Sequence, residues 1–386
     1  MKKTGFLFLC CLALCTQCAA PGDRQISDPA NPDKIRVGVF EGHGGAQTCI
    51  WETVEAVRLD PEMEVRTVTT ADLADNVLDS LDAIVIPGGS GKSQYLNLGA
   101  QNQQRIKDFV ARGKGAVGIC AGAYLFSSTP GYTCMGMNGE QAIDIEHDNR
   151  GHGLAKFTLN EEGKRLFPEL SGRDTSYVIY YEGPVFVKNP ADTIQNTVLA
   201  IMESDVHEEG NAPADMTNGK PFFLGNTYGK GRVFSCIAHP EATPGMMWMI
   251  PRMVRWTLDK PLLSYRPSVV QPDLFNKELL MSQADLKEEA ACFRTLLQGE
   301  SHEKILALDW LEAHHSWDAK RWIQGLLYDA APEVRVRAAQ YIANTHYLAF
   351  LPNLRSACRN ETDPAVKAKL EEQLTRLEDL IPQKIN

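Results

Sequence analysis

The sequence has no block of lysine and arginine, and no phosphate-binding loop of the Gly-x-x-x-x-Gly-Lys-Ser/Thr form. Nor has it any apolar run approaching a membrane span beyond its extreme N-terminus. The first absence excludes nucleic-acid binding by counterion release, the more so because 39 Lys and Arg face 49 Asp and Glu, a net charge of −10. The second excludes P-loop nucleotide chemistry. The third leaves a lipid anchor as the one expected route to a membrane. What is present, 44% hydrophobic and 23% charged residues in 386, describes a globular chain with room for two domains.

Lys2 and Lys3 precede an apolar stretch from Gly5 to Leu14, the pattern of an export signal over residues 1–20. Cys10, Cys11, Cys15 and Cys18 crowd it. Leu12-Ala-Leu-Cys15 and Cys15-Thr-Gln-Cys18 both resemble a bacterial lipoprotein box, without the small residue preferred before the cysteine. Cleavage after Ala19 or Ala20 is the alternative. Residues 21–34 then read as a polar tether. Either way the chain is expected in the cell envelope, lipid-anchored through Cys18 or Cys15, or else periplasmic or secreted. The remaining cysteines, Cys49, Cys120, Cys134, Cys236, Cys292 and Cys358, are too few for a disulfide scaffold in a chain of this length.

Strand-like runs alternate with helical ones across residues 35–262. Strands are expected over 35–40, 63–68, 81–86, 116–119, 143–146, 156–159, 177–182, 198–202, 222–226 and 233–237. Helices are expected over 46–59, 101–112 and 243–258. That alternation predicts an α/β fold, a mostly parallel open sheet with helices on both faces. Pro267 and Pro272 mark a linker over 263–285. From residue 286 to 386 the chain reads as helical. Ala331-Pro-Glu-Val-Arg-Val-Arg resembles Asp363-Pro-Ala-Val-Lys-Ala-Lys, with Pro332 and Pro364 32 residues apart. HEAT-like helix pairs and an ordinary small bundle both fit, with Val334, Ala338, Val366 and Leu370 facing a shared core. Trp310, Trp317 and Trp322 read as helical core.

Three motifs carry chemistry. Gly118-Ile-Cys120-Ala-Gly122 ends a strand and opens a helix, the form of a nucleophile elbow whose helix N-terminus favours a thiolate at Cys120. A small buried cysteine at a strand–helix junction is the plain reading. His239-Pro-Glu241 follows a strand, so that a base and its orienting carboxylate can turn to one site. Pro87-Gly-Gly-Ser90 ends another strand and offers backbone N–H groups to an oxyanion, or is only a loose turn. Glu41-Gly-His-Gly-Gly45 lacks the third glycine of a dinucleotide loop. Glu146-His-Asp148 with His152 lacks helical metal-ligand spacing, and no metal is expected.

Together these motifs resemble the class I glutamine amidotransferase superfamily, and within it the biotin protein ligase N-terminal domain family. The resemblance rests on Ile86-Pro-Gly-Gly89 with Tyr95, Ile106-Lys-Asp-Phe-Val110 and the Cys120 elbow continued to Tyr124. It continues through Tyr181-Glu-Gly-Pro-Val-Phe186, Tyr228-Gly-Lys-Gly-Arg-Val233 and His239-Pro-Glu241. It implies Cys120 as nucleophile, His239 as general base and Glu241 as its orienter. Gly88, Gly89, Ser90, Ala121 and Gly122 are candidates for oxyanion or substrate binding. Gly44, with Gly42 and Gly45, is a candidate substrate contact or a plain turn.

The departures are equally informative. No synthetase domain that would receive ammonia is present, and no Gly-Arg-Gly-Arg biotin loop, so biotinylation is not expected. No cofactor is implied. The expectation is an exported cysteine-dependent hydrolase acting on an amide or ester of a small molecule or peptide. The alternative is a non-catalytic ligand- or protein-binding scaffold of the cell envelope. The C-terminal helices are expected to recruit a protein partner or to shield the Cys120 pocket.

Overall fold

Apolar runs in β1 (Ile35–Phe40), broken only by Arg36, and in β3 (Ala83–Ile86) and β4 (Gly115–Ile119) leave almost no residue on either face for water. Such strands must be covered on both sides, as parallel strands crossed over by helices are. A computed structural model, which describes residues 34–381, places them side by side. Strand β2 (Met63–Val68) alternates buried and exposed side chains and forms the edge beyond β1. The crossovers are α1 (Gln47–Arg58), the short α2 (Thr70–Ala74) and α3 (Gly91–Ala111). Helix α4 (Ala121–Phe126) leaves β4 directly.

Beyond β4 the sheet continues with β11 (Gly231–Cys236), still parallel, and then reverses. Strands β10 (Pro221–Tyr228), β9 (Asn196–Met202) and β6 (His152–Leu159) are antiparallel, and β7 (Ser176–Tyr181) pairs with β6. Two small strands, β5 (Glu140–Ala142) and β8 (Phe186–Lys188), pair apart from it. Helices α5 (Glu161–Leu166) and α6 (Met249–Thr257) complete the α/β part. The class is the one expected, with its second half built from antiparallel strands.

Three expected elements are displaced. The strand expected over 143–146 is instead β5 followed by a 3-10 turn, Ile145–His147. Ile143 and Ile145 are exposed and Asp144 is buried, the reverse of what their polarity alone would place inside. The helix expected over 243–258 starts only at Met249, because Pro244-Gly245 bends the chain and Gly245 takes φ +75°. The helix expected over 101–112 is the second half of α3, which breaks at Gly99 (φ 67°, ψ 160°).

From Ile35 onward the described chain forms one compact unit. The stretch 263–285 is packed, since Arg252 Nη2 donates to Leu263 O at 2.7 Å and Tyr265 Oη donates to Asp60 at 3.0 Å. It also supplies β12 (Leu279–Leu280), which pairs with β6. Helices α7 (Gln283–Gln298), α8 (Ser301–Ala313), α9 (Lys320–Leu326), α10 (Pro332–Asn344), α11 (Leu351–Asn360) and α12 (Pro364–Glu378) follow. α7 packs on α8, and α10 on α8 and α12. Pro332 and Pro364 open α10 and α12, where a missing N–H costs nothing, and Val334, Ala338, Val366 and Leu370 are buried. No helix among the described residues is long and apolar enough to cross a membrane. Residues 1–33, with the expected export signal, its cysteines and most of the tether, lie outside the described residues.

Candidate active site

The turns after β1, β3, β4 and β11 all leave the carboxyl edge of the parallel half of the sheet, where α/β sheets place their sites. Cys120 is the first residue past β4 and stands at φ 51°, ψ −106°, a conformation that costs a non-glycine residue about 1–3 kcal/mol. Two contacts hold it there. Its N–H donates to Cys236 O at 2.8 Å, extending the β4–β11 ladder by one rung. Behind it, Gly122 lets α4 lie against β3, because a Cβ at Gly122 would stand 2.1 Å from Ile86 O. The Cys120 thiol donates to Tyr181 O at 3.4 Å. Cys120 is unpaired, as are the other five described cysteines.

His239 and Glu241 stand just beyond β11, both 1% exposed. The His239 N–H donates to Ile179 O at 2.8 Å, which fixes the backbone against β7. The ring nitrogen Nδ1 bonds Glu241 Oε1 at 2.7 Å, so Nδ1 carries the hydrogen. Nε2 is buried without a hydrogen-bond partner among the described residues, while Cys120 is near enough to act on the ring electrostatically. Burial opposes charge on this imidazole, but Glu241 and then Cys120 outweigh it and push His239 up to about 10. Gly88 leaves room for the ring: a Cβ there would lie 2.7 Å from His239 Cε1 and 3.0 Å from Cys49 Sγ.

The turn at 88–90 is laced to the turn after β1. Ala46 N donates to Gly88 O at 3.0 Å and Ser90 N to Gly44 O at 2.7 Å. The Ser90 N–H is therefore spent and cannot serve an oxyanion. The amides of Gly89 and Ala121 make no hydrogen bond to another described residue. Gly44 stands behind the turn and does not line the cavity, and Gly122 is a packing glycine.

These elements enclose a cavity of about 470 Å³ lined by Cys120, His239, Gly89, Ser90 and Ala121. Its wall carries Asp148, Glu182 and Asp318 against Lys92 and Arg321. Glu182 takes φ +53°; burial first, then the nearby Glu209 carboxylate, push its own carboxyl up to about 7.

A model of the family described as "Biotin-protein ligase, N terminal" matches residues 35–255. The chain belongs to this family. No curated protein matches it. Among solved structures it is similar to SMU.1228c, at 18% identity and TM-score 0.37, over 55% of this chain and 80% of that one. It is also similar to the cytoplasmic protein STM3548 of Salmonella typhimurium, at 12% identity and TM-score 0.40, over 58% and 99%. A third is the glutaminase domain of a Trypanosoma brucei CTPS with bound acivicin, at 12% identity and TM-score 0.38, over 60% and 96%.

In this member of the biotin-protein ligase N-terminal family, sequence reasoning missed three features of the site. Cys49, on α1, brings its sulfur within 4.8 Å of donor atoms of His239 and Glu241, and burial, then Glu241, push its thiol well up. Glu241 Oε1 and His239 Nδ1 are already bonded to each other, so this convergence is first of all the orienting pair of the site. Beneath the cavity, Asp144 and Arg150 form an ion pair at 2.6 Å with both side chains fully buried. Asp144 also accepts from the Tyr124 hydroxyl and from Val185 N at 3.0 Å. Third, Trp317, in the turn before α9, packs against the buried cluster of Leu154, Ile179, Ala242 and Phe275 and also lines the cavity and packs on His239. The two histidines weighed as metal ligands go separate ways, His147 to Gly210 O at 3.3 Å and His152 to Glu209 at 3.1 Å.

Proposed function

We propose that this protein is a cysteine-dependent hydrolase of an amide or ester, acting outside the cytoplasm. The observation that carries the reading is the strained Cys120 beside a buried His239–Glu241 pair, opening into a cavity of about 470 Å³. With His239 held above its ordinary value, the Cys120 proton rests on His239 Nε2 at neutral pH, and the thiolate attacks the substrate carbonyl. The N–H groups of Gly89 and Ala121 receive the oxyanion. His239 then protonates the leaving amine or alcohol, and the carbonyl–heteroatom bond breaks to leave a thioester on Cys120. Water, deprotonated by His239, hydrolyses the thioester and restores the thiol. Glu241 holds the ring by Nδ1, so that Nε2 is the nitrogen that gives and takes the proton.

The test is hydrolysis of a panel of p-nitrophenyl esters and anilides, with the acyl adduct mapped by mass spectrometry. We expect turnover with the adduct on Cys120, and loss of at least about a hundredfold in rate in Cys120→Ser and His239→Ala. Equal turnover by Cys120→Ser would refute the reading.

A further inference from the structure

The cavity wall is not made by the α/β part alone. Trp317 and Asp318 come from the turn between α8 and α9, and Arg321 from the start of α9, more than fifty residues beyond the segment matched by the family. The Trp317 ring lies 4.3 Å from the His239 ring, centroid to centroid, tilted by 53°. Its indole N–H donates to Glu52 Oε2 at 2.9 Å. Glu52 stands on α1 one turn after Cys49 and is also ion-paired to Lys320. The two charged side chains are 2% and 4% exposed. The Lys320 ammonium sits 4.5 Å from the centre of the Tyr347 ring and reaches Ala242 O, the residue after Glu241, at 3.5 Å.

A buried ion pair is a poor source of net stability, because desolvation offsets most of the attraction. Its better-attested use is to fix register, since only one arrangement leaves neither charge unpaired. Here the register being fixed is that of the 317–320 turn against α1, and its consequence is the placement of one indole on one imidazole. His239 is tied by Glu241 at Nδ1, but a single hydrogen bond leaves the ring free to tilt about it. Gly88, lacking a side chain, presents only backbone at Cε1. Trp317 supplies what Glu241 and Gly88 do not: a rigid face that stops the ring tilting and keeps water off it.

We propose that Trp317, held by Glu52 and Lys320, is a positioning residue for His239, so that the helical segment completes the active site. This rests on the hydrolase reading of Cys120 and His239. A purely structural tryptophan would change stability when replaced and leave the chemistry of Cys120 alone. A positioning residue changes how the proton is shared between Cys120 and His239.

Iodoacetamide alkylation of the full-length protein separates these, with the Cys120 rate read by mass spectrometry between about pH 5 and pH 10. In the wild type, Cys120 should outpace Cys134, and His239→Ala should abolish the advantage. Trp317→Ala should slow Cys120 at neutral pH by at least about tenfold and shift the midpoint of the pH–rate profile upward, with Trp317→Phe restoring the rate to within about threefold. Trp317→Leu keeps apolar bulk without a flat face and should behave like alanine; it stands in if Trp317→Ala does not fold. Alkylation by Trp317→Leu at the wild-type rate, with an unmoved pH profile, overturns the positioning role alone. A wild-type Cys120 that is no faster than Cys134 overturns the hydrolase reading, and the positioning role with it.

Discussion

Replacing Asp144 by alanine tests whether the floor of the site is held by its buried charges. In the native protein the Arg150 guanidinium has no exposure at all. It donates to Asp144 at 2.6 Å, to His147 O at 3.0 Å, and to Tyr180 and Gly183. Asp144 is its only carboxylate partner among the described residues. Asp144→Ala therefore leaves a buried cation without its counter-charge, a loss of about 3–5 kcal/mol. It also strips a charged acceptor from Val185 N–H and from the Tyr124 hydroxyl, charge-assisted bonds of about 1.5–3 kcal/mol each. Arg150 keeps its other acceptors and much of this relaxes, so the expected total is ~5 kcal/mol. Urea unfolding of the full chain, followed by far-UV circular dichroism, reads it as a shift of the midpoint. Asp144→Ala/Arg150→Met removes both charges and should lose less than the sum of the single variants by ~1–3 kcal/mol. A single-variant loss below about 1 kcal/mol, or simple additivity, would refute the claim that this pair is desolvated and mutually dependent.

Three further outcomes are expected. Gly122→Ala drives a methyl to 2.1 Å from a backbone oxygen that cannot swing aside, and should cost ~2–3 kcal/mol in the same urea assay while slowing Cys120 alkylation. Glu182 is held at about 7 when folded, against about 4.3 unfolded, so its contribution is present below about pH 4.3 and lost as pH rises through 7. Glu182→Gln should therefore gain ~1 kcal/mol on the wild type between about pH 4 and pH 8, a figure reduced for its partial exposure, and parallel stability–pH curves would contradict the shift. Glu241→Gln should slow Cys120 alkylation by about tenfold or more at neutral pH, since the carboxylate that favours the imidazolium is gone; an unchanged rate would show that His239 needs no orienter.

What the sequence disclosed followed from local physics. β2 is readable to the residue because it is an edge strand whose alternation is written in Glu64 and Arg66. The elbow is readable because close strand–helix contact demands glycine at 118 and 122. His239 and Glu241 sit two residues apart, so their pairing is a short-range fact. What remained hidden depends on contacts between distant segments. Trp317 and Glu52 are 265 residues apart, and nothing near either distinguishes a site tryptophan from a core one. Cys49 reaches the site only through the placement of α1. Asp144 lies between two isoleucines, and nothing in that local pattern says that the aspartate is the buried one, since it is so only through Arg150, Tyr124 and Val185.

The rung from Cys120 N–H to Cys236 O has a consequence for how the protein fluctuates. The candidate nucleophile closes one strand, and the candidate base stands three residues past the end of its parallel neighbour. Their separation is therefore set by sheet register and cannot drift with a loop. Parting them requires the centre of the sheet to open, and openings of that kind lie near the free energy of global unfolding. The Cys120 amide should accordingly be among the last in the chain to take up deuterium, in the same cooperative unit as β4 and β11, while surface turns exchange at once. The backbone spacing of nucleophile and base therefore lasts until the sheet itself opens, whatever the surrounding turns and helices do.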